Sequence, residues 1–236
     1  MRLLITRPEP DATKLAKRLE TLDHESTIEP LMSVSFDDTD LVDLSEAQAV
    51  IATSRNGLAG LEAQGAHKIA RALPLFAVGK ATARVARDLG FELIVTGAGT
   101  VHDLVPQIVA TCDPQAGFLV YLAGDVTAAN LEAELEPHGF RIDAPVVYRM
   151  KAAENFTDET FEQIATGEID GVLLFSPRTA DIYVRLVRKH RVTAPAARMT
   201  HYCLSDAVAR RLAPLGKIRT EVAPAPTLDA MLALLV

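Results

Sequence analysis

The sequence predicts an α/β protein with two parallel sheets, each covered by helices on both faces. Three observations carry that prediction. Short apolar runs alternate with amphipathic helical stretches along the chain. A strand–turn–helix unit at Phe76–Gly90 (FAVGKATARVARDLG) returns at Tyr202–Gly216 (YCLSDAVARRLAPLG), with Ala81/Ala207, Ala83/Ala209, Arg84/Arg210, Leu89/Leu215 and Gly90/Gly216 coinciding. The flanking units also correspond in order: AVIATSRNGLAGL with GVLLFSPRTADIY, ELIVTGAGTVHDLV with RTEVAPAPTLDAML, and Leu3–Leu31 with Leu119–Val146. The chain therefore divides into two copies of one plan of roughly 115 residues each, a size suited to a single α/β domain.

Each element has a local reason. Leu3–Thr6 is an apolar strand, and Arg7-Pro8-Glu9-Pro10 turns the chain into a helix over Asp11–Leu22, with Ala12, Leu15, Ala16, Leu19 and Leu22 inward. Ser26–Phe36 reads as a strand passing through Pro30, suited to an edge or a strand end. Asp37–Glu46 is polar and acidic, a linker. Three strand–helix units follow. The second buries Thr82, Val85, Ala86 and Leu89 at i, i+3, i+4 and i+7, and ends at Gly90, where a left-handed residue is wanted. The third buries Val101, Leu104, Val105 and Ile108. After a break at Cys112–Gly117 come a strand at Phe118–Leu122, a helix from Val126 to Pro137 and a second proline-bearing strand, Phe140–Tyr148. Lys151–Asp158 is a second polar crossing, and the remaining units end in a helix striped by Leu228, Met231, Leu232 and Leu235.

Composition narrows the function. Hydrophobic residues are 49% of the 236, enough for full cores without disulfides. A net charge of -7 argues against a nucleic-acid or anionic-membrane surface. Cys112 and Cys203 lack metal-like spacing and read as free thiols of a cytoplasmic protein. MRLLITRP is too short an apolar run for a signal peptide, and no segment has the length of a membrane span. The chain has no Walker-type loop and no GxSxG elbow, and His102 stands where a dinucleotide fingerprint needs its third glycine. The histidines form no metal set.

Ligands of open parallel sheets bind beyond the carboxyl ends of the strands. Those ends read Thr6-Arg7, Thr53-Ser54-Arg55-Asn56, Gly79-Lys80, Thr96-Gly97-Ala98, Ala123-Gly124-Asp125, Ser176-Pro177-Arg178 and Ser205-Asp206. Any one such turn serves ordinary helix capping, and Asp125 and Asp206 read as caps. The recurrence of Arg7, Arg55 and Arg178 just past strand ends, beside helix N-termini, points the set toward a polyanion. A non-catalytic binder of a small anion fits the same inventory.

The ordered motifs LLITRP, ATSRNG, VGKATA, LAGD, VVYRM, FSPRTA and PTLDAM resemble the uroporphyrinogen-III synthase family along essentially the whole chain. That resemblance implies two flavodoxin-like α/β domains joined by a two-stranded linker, with the active site in the cleft between them. One domain is discontinuous, 1–35 plus 150–236, and 36–149 is inserted. The implied substrate is hydroxymethylbilane, a linear tetrapyrrole with eight carboxylates. It loses its hydroxyl as water and closes through a spiro intermediate to uroporphyrinogen III, with the last ring inverted. No metal or cofactor is implied, and the protein is expected to act as a monomer. Tyr148 matches the tyrosine suggested to assist departure of the hydroxyl. Thr82 matches the threonine of the VG-x-x-TA turn, Thr53, Ser54, Arg55 and Asn56 cover the TS-x-x substrate loop, and Ser176 and Pro177 match the SP turn. Arg7, Gly79, Lys80, Gly124, Arg178 and Ser205 complete the expected binding set. In the last large turn many relatives carry IGPTTA, whereas this chain has Leu204-Ser205-Asp206-Ala207-Val208-Ala209. The threonine hydroxyls are absent there, leaving Ser205 to substitute.

Overall fold

The computed structural model describes residues 1–126 and 131–235. Its strands, in chain order, are β1 (Arg2–Ile5), β2 (Glu25–Ile28), β3 (Met32–Ser35), β4 (Ala47–Ala52), β5 (Leu75–Ala77), β6 (Ile94–Thr96), β7 (Phe118–Tyr121), β8 (Ala123–Gly124), β9 (Ile142–Asp143), β10 (Val146–Ala152), β11 (Gly171–Leu174), β12 (Thr200–Cys203) and β13 (Arg219–Val222). The chain forms two compact units, Met1–Ser33 with Lys151–Val236 (unit 1) and Val34–Met150 (unit 2).

Unit 1 holds a five-stranded sheet in the order β13-β12-β11-β1-β2, in which every pairing is parallel. Numbered from its own first strand this is the 2-1-3-4-5 order of doubly wound flavodoxin-like sheets. The inner strands β1 and β11 are apolar and buried on both faces, as helix-covered parallel strands must be. Unit 2 holds a parallel sheet in the order β6-β5-β4-β7-β9. The repeated sequence segments occupy equivalent places in the two sheets: β4 with β11, β5 with β12, β6 with β13, β7 with β1, and β9 with β2.

The helices follow the apolar stripes. Asp11–Glu20 buries Ala12, Leu15 and Leu19. Lys80–Asp88 buries Thr82, Ala83 and Ala86, while Val85 and Leu89 are partly covered. In Arg55–Ala63, Gly57 and Gly60 permit close approach to the strands below. A Cβ on Gly57 would lie 2.9 Å from the Leu122 carbonyl oxygen, and one on Gly60 would collide with that of Val147. This helix is thereby held against the residue that precedes Tyr148.

Three expectations need correction. The strand expected across Ser26–Phe36 is two strands, β2 and β3, separated at Glu29-Pro30-Leu31, because Pro30 has no N–H to continue a ladder. Glu29 is buried there and accepts hydrogen bonds from the Thr157 N–H (3.2 Å) and hydroxyl (2.6 Å). Phe140–Tyr148 is likewise divided, into β9 and β10 around Ala144-Pro145. Asp206 is not a cap: Ser205 is the N-cap residue of Asp206–Arg210, and Asp206 lies in the first turn. The helix expected from Val126 begins, for the described residues, at Leu131, and residues 127–130 lie outside the description.

The strands through which the chain passes between units, β3 and β10, are neighbours in a three-stranded sheet ordered β3-β10-β8. Within unit 2, Asp40 pins the polar stretch before β4: its N–H donates to the Val146 carbonyl (2.9 Å), and its carboxylate accepts from the Val146 N–H (2.8 Å). Among the described residues no helix is long and apolar enough to cross a membrane.

Candidate functional site

In each sheet the strand order reverses at one place, the position at whose carboxyl edge doubly wound sheets bind their ligands. In unit 2 this switch point lies between β4 and β7, and in unit 1 between β11 and β1.

At the unit 2 switch point the Thr53 hydroxyl, just past β4, is 3.1 Å from the hydroxyl of Tyr121, which ends β7. Ser54 is the N-cap of Arg55–Ala63, in extended conformation, and its Oγ accepts from the N–H groups of Asn56 (3.0 Å) and Gly57 (3.3 Å). The Ser54 hydroxyl donates to the Tyr148 hydroxyl at 3.4 Å. Asn56 reaches Met150 with its amide, 4.0 Å from Sδ, so the β4 turn meets β10 at two points.

Tyr148 and Gly124 are register partners in the β10–β8 pairing. The tyrosine ring lies over the glycine so closely that a Cβ there would stand 2.5 Å from Cζ and 2.7 Å from Oη. Gly124 is the seat of the phenol. Asp125 closes this corner, its N–H donating to the Tyr148 carbonyl (3.2 Å) and its carboxylate accepting from the Met150 N–H (3.2 Å). One strand over, Gly79 is the extended N-cap of Lys80–Asp88, with Lys80 exposed at the first position of that helix. Thr82 is buried on the inner face of the same helix. Thr53, Ser54, Arg55, Asn56, Gly79, Lys80, Gly124 and Tyr148 thus belong to one unit.

At the unit 1 switch point the buried Thr6 hydroxyl, just past β1, donates to the Leu173 carbonyl of β11 at 2.7 Å. Arg7 follows, its guanidinium 4.7 Å from the centroid of the Phe175 ring and 3.1 Å from the Asp11 carboxylate. Ser176 caps Pro177–Lys189 by accepting from the Thr179 N–H at 3.1 Å, and Pro177 takes the first helical position, where its missing N–H costs nothing. Arg178 is exposed in the first turn. Ser205 is an N-cap without a side-chain capping bond.

These turns carry hydroxyls and guanidinium groups beside the positive ends of helices, which suit carboxylates. Sequence reasoning missed Tyr121, Phe175 and Met150. Tyr121 carried a usable signal, because it ends a buried parallel strand, the same rule that selected Thr53 and Ser176.

A family model described as uroporphyrinogen-III synthase HemD matches residues 13–233. No curated protein sequence matches the chain. Among solved structures, uroporphyrinogen-III synthetase from Helicobacter pylori is 18% identical, aligned over 100% of this chain and 98% of its own, with a TM-score of 0.63. A mutant uroporphyrinogen III synthase from the extremely thermophilic bacterium Thermus thermophilus is also 18% identical, over 100% and 97% of the two chains, with a TM-score of 0.49. The Helicobacter pylori structure shares the fold. The family match spans nearly the entire sequence, and on that ground the chain belongs to the uroporphyrinogen-III synthase family.

Proposed function

We propose that the protein cyclises hydroxymethylbilane to uroporphyrinogen III, inverting the last pyrrole ring and releasing water, as a lyase of tetrapyrrole and heme biosynthesis. The observation that carries this reading is the family match over residues 13–233. The non-catalytic alternative loses its ground once the family is assigned.

The chemistry asks for conformational control. Unguided closure joins the ends at the unsubstituted carbon and yields the symmetric isomer I. An enzyme must hold both ends so that the substituted carbon attacks. Eight carboxylates give it the handles. In unit 2, Arg55, Lys80 and the helix start after Gly79, which no side chain caps, bind them, with Thr53, Asn56 and Thr82 beside these turns. In unit 1, Arg7, Arg178, Ser176 and Ser205 do the same at the turns after β1, β11 and β12, with Pro177 fixing the backbone of the Ser176 turn. Tyr148 gives its proton to the departing hydroxyl. The C–O bond breaks with its electron pair on oxygen, water leaves, and the methylene becomes the electrophile. The low count of other acids and bases at these turns fits a site that works by positioning. The protein works as a monomer in the cytoplasm and, at a net charge of -7, engages no nucleic acid.

Incubation with enzymatically generated hydroxymethylbilane, oxidation of the products and separation of the isomers tests this. The expected result is isomer III in excess over the unguided background. Isomer I alone refutes it.

A further inference from the structure

We infer that Ser54 is a positioning residue, which sets the direction of the Tyr148 hydroxyl proton and keeps it available for outward donation. The inference rests on the reading of Tyr148 as the proton donor.

The argument is one of valence. A serine hydroxyl has two lone pairs and one proton. Both lone-pair directions of Ser54 are taken, by the Asn56 N–H at 3.0 Å and the Gly57 N–H at 3.3 Å. The single proton remains, and it is directed to the Tyr148 oxygen at 3.4 Å. Ser54 therefore cannot accept from the phenol. Tyr148 receives, and its own O–H must aim elsewhere. Among the described residues no other side chain shares the Tyr148 hydroxyl. The bond is long for two hydroxyls, as expected of a catalytic contact before substrate closes on it. What it fixes is direction.

Two further features hold the arrangement. Gly124 beneath the ring leaves the phenol no depth to tilt into once it is seated. The positive end of the Arg55–Ala63 helix polarises the Ser54 hydroxyl, so each donor in the chain N–H, Ser54 O–H, Tyr148 O–H strengthens the next. The duplicated partner provides the contrast. Ser176 stands at the equivalent position in unit 1 and also caps its helix, but its hydroxyl is shared with Thr179 Oγ1 at 2.9 Å, within the same turn. Only the unit 2 copy exports its proton to a tyrosine.

In the reaction the Tyr148 O–H bond breaks and its proton passes to the substrate hydroxyl, which leaves as water. The phenolate oxygen keeps the Ser54 hydrogen bond, and the proton released when the ring closes returns to it.

The test is a double-mutant cycle on the full chain, reading kcat and KM for isomer III. Ser54→Gly removes the hydroxyl while leaving a residue that caps helices almost as well. Ser54→Thr keeps both cap and proton. The expected result is a fall in kcat of about ten-fold for Ser54→Gly with KM nearly unchanged, a fraction of the roughly hundred-fold a general acid supplies, and recovery of most of that loss in Ser54→Thr. In a Tyr148→Phe background, Ser54→Gly should cost nothing more. If the double variant is slower than Tyr148→Phe by the full Ser54→Gly factor, Ser54 acts independently of the phenol and the inference falls while the role of Tyr148 stands. If Tyr148→Phe alone leaves kcat unchanged, both readings fall.

Discussion

Replacing Gly124 with alanine tests how finely the phenol is seated. The new Cβ would stand 2.5 Å from Tyr148 Cζ, 2.7 Å from Oη and 2.9 Å from Cε2, where ordinary contact needs 3.4 Å or more. The ring must retreat by about 1 Å at its reactive end, a displacement worth on the order of a hundred-fold in rate when it misplaces a catalytic group. Fold stability should barely change. Gly124 has no left-handed backbone for alanine to strain, and the half-buried ring can swing toward solvent. Removing a glycine also narrows the unfolded ensemble by a fraction of a kcal/mol. Measured as isomer III formation under saturating hydroxymethylbilane, kcat should fall about a hundred-fold, with the thermal midpoint within a few degrees of wild type. Combining Gly124→Ala with Tyr148→Phe should add little to Tyr148→Phe alone. Full activity in Gly124→Ala would refute the claim that the seat matters. A collapse in thermal midpoint that accounts for the lost rate would reassign Gly124 to folding.

Two further outcomes are expected. His201 is fully buried between the Tyr183 hydroxyl (3.2 Å) and the Arg219 carbonyl (3.2 Å), and burial depresses its pKa from 6.5 to about 4. Between those values the unfolded chain binds the extra proton, so this contribution is present above about pH 6.5 and is lost as pH falls toward 4. It amounts to about 2 kcal/mol between about pH 7.5 and pH 5. Urea titrations at the two pH values should show that loss in wild type and a smaller one in His201→Gln; equal losses would rule His201 out as the cause. Arg178→Ala, exposed in the first turn of Pro177–Lys189, should raise KM roughly five- to ten-fold and leave the thermal midpoint near wild type, as loss of a solvent-screened carboxylate contact does; unchanged KM would remove it from the binding set.

The layered α/β plan was legible because parallel strands covered on both faces read as short apolar runs, such as RLLI and GVLL, set between helical stripes. The duplication was legible from residues that recur in order at matching turns and helices, such as Ala81/Ala207, Arg84/Arg210 and Gly90/Gly216. The breaks at Pro30 and Pro145 were not. A β-prone run on either side of a proline reads as one strand until the missing N–H is counted against a specific neighbour. The turns after strands could be picked out from their small and hydroxyl residues. Their contacts could not, because Thr53 meets a tyrosine 68 residues away and Ser54 one 94 residues away. Spacing along the chain carries no record of which turns share an edge. Asp206 shows the opposite limit: the residue type suits a cap, but the backbone places Ser205 there one position earlier.

The threading of unit 1 also bears on biosynthesis. Strand β1 is an inner strand with β11 as one of its two neighbours, and the Arg2 amide donates to Asp170, 168 residues further on. A ribosome adding about 5–20 residues per second needs on the order of ten seconds to deliver that neighbour. During this interval Val34–Met150 has emerged complete and can condense, while the LLI of β1 waits with one ladder edge unpaired. Of the described strands β1 has the longest wait for a ladder neighbour, so its apolar residues are the ones a chaperone has reason to shield until Gly171–Leu174 emerges.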